Sequence, residues 1–232
     1  YYSGVTQQEV EDFYKLPSGG EGQPISRGLN STLVKKDGKL VEEVWKIGGK
    51  YSNEITNIVK ALEKAQEYAL TEQQREVIRL LIEYYKNGDL AVFDAYSIAW
   101  LQEQESPVDF INGFIEVYGD PLAYKASWES VVEIVDAAAC GRTNKLAENA
   151  LWFEKNAPIE DRFKKTQVSG ITARVMQVAM LGGDCHPATP IGINLPNAEW
   201  IRERYGSKSV TLDNITYAYH RASQGSGVTD EF

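Results

Sequence analysis

Residues 108–121 decide the fold and run Val-Asp-Phe-Ile-Asn-Gly-Phe-Ile-Glu-Val-Tyr-Gly-Asp-Pro. As far as Tyr118, the even-numbered residues from Val108 onward form one set and the odd-numbered residues from Asp109 onward form the other. A period of two predicts a β-strand with the side chains of Glu116 and Tyr118 on one face. The turn residues Gly119-Asp120-Pro121 predict the end of the strand. The apolar residues upstream of Pro107 recur at helical spacing instead, so the predicted secondary structure changes from helix to strand at this proline.

Four segments upstream have the signals of helix starts. Capping-box spacing at Thr6 and Glu9 predicts a helix over residues 7–15. Each of the other helix-start signals precedes apolar residues at helical spacing. Gly88 predicts the end of the helix that starts after Thr71. These signals are Ser52, Thr71 with Gln74, and Asp89, whose helix is expected to reach about Leu101. Residues 17–24 are predicted to be a loop, residues 26–42 show no clear period, and residues 36–39 favour a turn.

Strand and helix patterns alternate in the C-terminal half. The sequence predicts strands over 126–135 and 171–181, the second of them buried, and a helical stretch over 136–156. Residues 182–190 are expected to be a loop. Pro190 and Pro196 lack the backbone donor of a regular interior strand. Two helices, one holding Trp200 and Ile201 and one near 212–223, and a polar tail from Ser223 complete the chain. This order indicates the α+β class.

Composition excludes several functions. The 232 residues include 24 basic and 33 acidic side chains, a net charge of −9, which is unsuited to neutralising nucleic-acid phosphates. Two cysteines and two histidines cannot form a disulfide framework or a four-thiolate zinc site. No window approaches 18 apolar residues, so we predict no membrane span.

Glu116, Asn194 and Asn197 are the first candidates for chemistry. A carboxylate within an apolar strand could await a cation such as a substrate ammonium, or could be solvated or paired with an internal Lys or Arg. The amides of Asn194 and Asn197 could hydrogen-bond an extended peptide. They could equally close local turns, and Asn197 is well placed to cap the helix that starts near Glu199.

Asp184, Cys185 and His186 form the remaining candidate group. Consecutive side chains diverge and rarely share one metal ion, and no second ligand pair with zinc-like spacing occurs in the chain. A nucleophilic pair of Cys185 and His186 faces the same geometric objection. A cysteine hydrolase is therefore a weak third hypothesis, which thiol alkylation would test.

Several strings in the sequence resemble the dipeptidyl peptidase III family of zinc metallopeptidases, especially its Bacteroides-like bacterial members. The resemblance covers nearly the whole chain. The strings that carry it are Tyr1-Tyr2-Ser3-Gly4, Gly28-Leu29-Asn30-Ser31 with Leu33, Gly113 to Pro121, Pro190 to Asn197, and Gly206-Ser207-Lys208-Ser209-Val210.

The resemblance implies a role for each of seven residues. Glu116 matches the carboxylate that receives the free α-ammonium of a peptide, and Tyr118 the phenol that contacts the scissile carbonyl and stabilises its oxyanion. Asn194 and Asn197 match amides that bind the N-terminal end and backbone of the substrate. The neighbouring subsite would be lined by Pro190, Gly192 and Ile193. Such an enzyme removes dipeptides from peptide N-termini.

The zinc motif of the family, His-Glu-x-x-Gly-His, is absent from this sequence. We therefore expect an internal fragment of the parent enzyme, inactive alone, with zinc in the parent and none in this chain. The resemblance predicts a partial barrel-like lobe with antiparallel or mixed strands. It divides the chain into a helical segment with the first strands of the substrate-binding lobe (1–135), a helical excursion towards the other lobe (136–165), and a return to the substrate-binding lobe (166–232).

The expected partners are short peptides with a free N-terminus and the remainder of the same polypeptide. A cytoplasmic location is expected for the parent, with a signal or lipid anchor upstream of Tyr1 left open. A second hypothesis, from a different class, is a complete non-catalytic module that binds peptides or protein partners. The downstream reading frame separates the two, because only a fragment continues into the zinc motif.

Overall fold

The computed structural model describes residues 1–15, 26–168 and 171–223. These residues form two compact units: unit 1 comprises Tyr1–Ser106 and Gly113–Glu129, and unit 2 comprises Pro107–Asn112 and Ser130–Phe232. Helices and mixed sheets make an α+β protein, as the sequence predicts. The described strands are β1 (Tyr2–Ser3), β2 (Ser31–Lys36), β3 (Lys39–Val44), β4 (Val108–Glu116), β5 (Ser127–Val135), β6 (Ile171–Gly183), β7 (Gly192–Leu195) and β8 (Ser207–Leu212).

The described helices begin close to where the capping signals place them. They are α1 (Gln7–Tyr14), α2 (Ser52–Gln66), α3 (Glu72–Asn87), α4 (Leu90–Gln102), α5 (Ala137–Glu148), α6 (Ala150–Asn156), α7 (Glu199–Tyr205) and α8 (Asp213–Ser223).

Side-chain caps confirm most of the predicted helix starts. Thr6 and Glu9 form the complete capping box of α1, the Thr71 hydroxyl accepts from the backbone N–H of Gln74, and Asp89 caps α4. Gly88 ends α3 with a φ of 73°, a left-handed conformation that glycine adopts at low cost. The prediction for Ser52 was wrong, because Tyr51 is the N-cap of α2 and the Ser52 hydroxyl accepts from Gly48 instead.

Unit 1 contains a three-stranded sheet that the sequence pattern did not predict. Strand β2 pairs in parallel with β1 and antiparallel with β3, and the predicted turn at residues 36–39 joins β2 to β3. Four consecutive residues of β2, Ser31 to Val34, are buried, so no period of two is visible in the sequence. Leu33 packs on Val10 and Tyr14 of α1.

The predicted strand is confirmed up to Glu116, and its extension to Tyr118 was wrong. Asp109, Ile111 and Gly113 are buried in alternation, but Phe114 is buried as well as Ile115, and the strand ends at Glu116. The backbone N–H of Asp120 donates to the carbonyl of Val117 at 3.0 Å, so the turn begins before Tyr118. Glu116 and Tyr118 therefore do not share a strand face.

Unit 2 is organised around a five-stranded sheet with the order β4-β5-β6-β8-β7. Strand β8 is parallel to β6 and antiparallel to β7, which lies at the edge. Pro190 and Pro196 flank this edge strand, in agreement with the exclusion of a regular interior strand. The buried cluster of this unit is formed by Met176, Val210 and Leu212.

Other predictions for unit 2 have mixed outcomes. The helical stretch at 136–156 and the last two helices are confirmed. Strand β6 is buried at Val175 and Met176, but Ala179 and Met180 are exposed, so the expectation of a wholly buried strand was wrong. Ala198, not Asn197, is the N-cap of α7. The predicted loop at 17–24 and the polar tail from 224 onward lie outside the described residues, and the three-part domain division stays a prediction.

Within the described ranges, no helix is both long and apolar enough to cross a membrane.

Candidate functional site

Glu116 and Tyr118 lie together where β4 ends in unit 1. The Tyr118 phenol is 88% exposed and lies close enough to the Glu116 carboxylate for the two groups to interact. The negative charge of Glu116 is the largest cause of a raised Tyr118 pKa, followed by desolvation, hydrogen bonding to Glu116 and the charge of Glu129. The phenol therefore keeps its proton at neutral pH and remains a hydrogen-bond donor.

Asp120 fixes the turn that carries Tyr118. Its buried carboxylate accepts hydrogen bonds from the backbone N–H groups of Leu122, Tyr124 and Lys125 at 2.8–3.0 Å, and from the phenol of Tyr2 at 2.5 Å. Although burial acts in the opposite direction, these donors lower the pKa of Asp120. An ionised carboxylate with several donors holds its loop firmly.

Tyr1 packs beside the same turn. Its hydroxyl lies 3.3 Å from the Ser127 hydroxyl, and a β-carbon at Gly119 would lie 3.3 Å from the Tyr1 oxygen. Glycine at position 119 thus allows this close approach. The turn is held from two sides, while the tip of Tyr118 stays exposed.

Four more of the predicted residues lie on or beside the edge strand of unit 2. Gly192, Ile193 and Asn194 are in β7, paired with Thr211, Val210 and Ser209 of β8. Asn194 is exposed, whereas Ile193 is half-buried against the unit 2 core. Pro190 is half-buried in the segment before the strand. The edge strand therefore presents Asn194 on its accessible face.

Asn197 occupies the segment between β7 and α7, where its side chain is exposed. The seven predicted residues thus form two groups. Glu116 and Tyr118 are in unit 1, and the other five are within eight consecutive positions of unit 2.

Sequence reasoning missed a buried network in unit 1 that is centred on Lys125. The Lys125 ammonium, 0% exposed, donates to the Tyr14 phenol, to the Ser31 hydroxyl at 2.8 Å and to the Gly28 carbonyl at 3.1 Å. Tyr14 and Ser31 in turn donate to the Glu42 carboxylate, which lies 3.7 Å from the ammonium. Desolvation lowers the pKa of Lys125 to about 8, against the opposing charge of Glu42.

A second buried cluster that sequence reasoning missed lies in unit 2. Oδ2 of Asp109 accepts from the Lys208 ammonium at 3.0 Å and from the Arg174 guanidinium at 3.1 Å. Glu133, also fully buried, lies near these charges. One signal in the sequence was available, because Lys208 alternates with Val210 and Leu212 on an apolar strand face.

An open groove of about 610 Å³ lies elsewhere in unit 1. Each charged side chain that lines it has an internal partner, such as Lys36 for Glu43 and the Asn87 carbonyl for Lys46. The groove contains none of the predicted site residues. Its lining residues are Glu42, Glu43, Val44, Lys46, Gly49 and Lys50.

The described ranges contain no group of three or more His, Cys, Asp or Glu side chains that could hold a metal ion. Asp184, Cys185 and His186 therefore do not form such a group. The zinc that the resemblance implies has no fitting site among these residues.

Comparison with solved structures identifies the class of fold. The structure of DPP III from Caldithrix abyssi superposes with a TM-score of 0.80 at 28% identity, over 95% of this chain and 41% of that one. The likeness therefore covers both units of this chain and less than half of the bacterial enzyme.

Comparison of sequences then defines the family. Residues 26–231 match the model of peptidase family M49, and the chain belongs to this family. Dipeptidyl peptidase 3 of Homo sapiens is 29% identical over 167 residues, which are 72% of this chain and 22% of the human protein. The Dictyostelium discoideum protein of the same name is 28% identical over 182 residues, 78% of this chain and 26% of that protein. The chain thus spans about a quarter of the length of these curated relatives.

Proposed function

We propose that this chain is the substrate-binding portion of a zinc-dependent dipeptidyl peptidase, which removes dipeptides from the N-termini of short peptides. Membership of family M49 and the names of the relatives support this activity. The zinc of the parent enzyme would be held by residues outside this chain, so the chain alone would be inactive. The parent would act in the cytoplasm.

The observation that carries the proposal is that the half-buried carboxylate of Glu116 and the exposed phenol of Tyr118 lie close enough to interact where β4 ends. Glu116 would receive the α-ammonium of the peptide through a charge-assisted hydrogen bond, which is stronger than a neutral one. Because Glu116 would bind the free N-terminus at a fixed position, the bond that is cut would always follow the second residue of the peptide. Tyr118, which keeps its proton, would donate to the scissile carbonyl as negative charge develops on the oxygen.

The edge strand β7 would hold the peptide backbone. An edge strand in a sheet can pair with an extended peptide through main-chain hydrogen bonds. Asn194 and Asn197 would add amide donors and acceptors to that pairing. Pro190, Gly192 and Ile193 would form the wall of the adjacent subsite. A β-carbon at Gly192 would lie 3.1 Å from the Val210 carbonyl, so any larger residue would crowd this edge.

Metal analysis and activity assays test whether the zinc lies outside this chain. The purified chain should bind less than about 0.1 zinc per molecule and should not hydrolyse dipeptidyl amides of a chromogenic amine. The full-length protein should bind one zinc and hydrolyse them. One zinc per molecule together with activity in the isolated chain would contradict the proposal.

Substitution of Tyr118→Phe in the full-length peptidase tests the oxyanion role. The change keeps the ring and removes the donor, so kcat should fall roughly 100-fold, as for other lost oxyanion donors. Tyr68→Phe is the matched control, because Tyr68 is also highly exposed in unit 1. Equal kcat values for the two variants would remove Tyr118 from the reaction.

A further inference from the structure

Glu133 is a buried acid whose place in the fold needs an explanation. It lies on β5 in unit 2 with 0% of its surface exposed. Neither of its carboxylate oxygens has a hydrogen-bond partner among the described residues. A buried polar group without a hydrogen-bond partner destabilises a fold, so its presence calls for an explanation.

Three charged side chains face Glu133, each from a different strand of the sheet. Asp109 comes from β4, Arg174 from β6 and Lys208 from β8. Desolvation and the charge of Asp109 raise the pKa of Glu133 to about 8, and the two cations act in the opposite direction. Glu133 is therefore protonated at neutral pH and loses its proton in mildly alkaline solution.

Ionisation of Glu133 changes the competition for the two cations. In the protonated state both cations bind the same oxygen of Asp109, at 3.0 and 3.1 Å. An ionised Glu133 is a second buried anion, and a buried charge without a partner is strongly destabilising. Lys208 or Arg174 must then shift towards Glu133, or water must enter the sheet.

The position of Lys208 connects this cluster to the edge strand. Lys208 is paired with Leu195 of β7, and the next residue, Ser209, is paired with Asn194. The side chain of Lys208 is fully buried, so a shift towards Glu133 takes place inside the packed sheet and strains the β8 backbone that carries it. A shift of β8 at this point passes directly to Leu195 and Asn194.

We propose that Asp109, Glu133, Arg174 and Lys208 form a proton-controlled positioning cluster for β7, and that ionisation of Glu133 weakens peptide binding by displacing Asn194. The second half of this statement rests on the proposed function, because it takes Asn194 to be a peptide-binding residue. Glu133 is a positioning residue and does not touch the substrate.

Backbone amide exchange tests the positioning step without any substrate. Exchange of residues 192–195 is measured from pH 6.5 to 9.5 and corrected for base catalysis of the exchange reaction. Protection in the wild-type chain should fall at least tenfold between pH 7 and 9. In Glu133→Gln it should stay constant within about twofold, whereas the control Glu148→Gln, an exposed residue of the same unit, should follow the wild type. Parallel profiles in wild type and Glu133→Gln would overturn the proposal.

A measurement on the unsubstituted chain covers the case in which Glu133→Gln fails to fold. Carbon-13 NMR of glutamate carboxyl groups should reveal one group with a midpoint near pH 8. The absence of any glutamate that titrates between pH 7 and 9 would overturn the proposal.

Peptide binding is tested in the full-length peptidase through the pH dependence of KM and kcat. The substrate amine itself titrates near pH 8, so the wild type is compared with Glu133→Gln rather than with a single curve. At pH 9 the KM of the wild type should exceed that of Glu133→Gln at least fivefold, with kcat equal within twofold. Equal KM profiles would overturn the peptide-binding step. The proposed function would then still be decided separately by Tyr118→Phe and by the metal analysis.

Discussion

Both units bury a lysine completely, but they surround it differently. Lys125 in unit 1 is bonded to a phenol, a hydroxyl and a backbone carbonyl, and its nearest carboxylate, Glu42, is about one-third exposed. Lys208 in unit 2 shares one buried carboxylate with Arg174, while Glu133 beside them has no partner among the described residues. In unit 1 the charge of the buried lysine is therefore stabilised mainly by neutral groups. In unit 2 two cations share one carboxylate, and the arrangement depends on the proton that Glu133 carries.

The two arrangements respond to pH in opposite directions. The pKa of Glu133 is raised, so its contribution to stability is complete below its ordinary value near 4.5 and is lost as pH rises through about 8. The pKa of Lys125 is lowered, so its contribution is complete above its ordinary value near 10.5 and is lost as pH falls through about 8. A rise in pH therefore weakens unit 2 between pH 4.5 and 8 and strengthens unit 1 between pH 8 and 10.5.

The largest effect is expected for Asp109→Asn, which breaks the cluster in unit 2. The substitution removes the carboxylate that Lys208 and Arg174 share and leaves only Glu133 beside them, which would have to ionise in a buried position to replace it. The free energy of unfolding should fall by about 3–5 kcal/mol, as in other buried pairs that lose one partner. Urea unfolding at pH 7 measures this change, and a loss below about 1 kcal/mol would show that the two cations are solvated.

Glu133→Gln tests whether the pH dependence of stability in unit 2 comes from Glu133. Between pH 5 and 9 the unfolding free energy of the wild type should fall by about 2–4 kcal/mol more than that of the variant, because only the wild type carries the raised carboxyl pKa. Urea titrations at several pH values give the two curves. Curves of equal slope would mean that Glu133 ionises normally in the fold.

A smaller effect is expected for Lys125→Met in unit 1. Methionine fills a similar volume but removes three donated hydrogen bonds, at a cost of about 1–3 kcal/mol at pH 7. Glu42 keeps the hydrogen bonds from Tyr14 and Ser31, which limits the damage. The variant should also lose the gain in stability between pH 8 and 10.5. Retention of that gain would contradict the assigned pKa of Lys125.

Tyr14→Phe should have the smallest effect of the series. It removes one phenol that accepts from Lys125 and donates to Glu42, at a cost of about 1–2 kcal/mol. The same urea assay measures this change. An effect as large as that of Asp109→Asn would mean that unit 1 depends on a single partner for its buried charge as strongly as unit 2 does.

Local signals were enough to predict most helices. The caps at Thr6, Thr71 and Asp89 and the end at Gly88 depend only on residues within four positions of each other. Strand β2 escaped prediction because its first four residues are all buried. Tyr118 was wrongly predicted to lie on the strand face. The turn begins with a backbone hydrogen bond from Asp120 to Val117, and an alternating sequence pattern does not reveal such a bond.

The site residues were predicted from the resemblance rather than from spacing, and their roles stay predictions. The buried clusters could not be predicted in either way. Asp109 and Lys208 are 99 residues apart in the chain, and Lys125 and Tyr14 are 111 apart. The first pair forms only once the strands have found their order in the sheet, and the second only once α1 packs against the segment between β4 and β5. Alternation indicates that Lys208 is buried but does not identify its partner.

The most direct test of the central claim, that Glu116 receives the free N-terminus of the substrate, is the discrimination between a free and an N-acetylated peptide. Calorimetry on the full-length peptidase and on its Glu116→Gln variant gives the affinity ratio for the two ligands, with Glu67→Gln as a matched exposed control. The wild type and the control should prefer the free amine roughly 10–100-fold, as expected for a charge-assisted bond, and Glu116→Gln should lose most of that preference. A Glu116→Gln variant that keeps the wild-type preference would contradict the account.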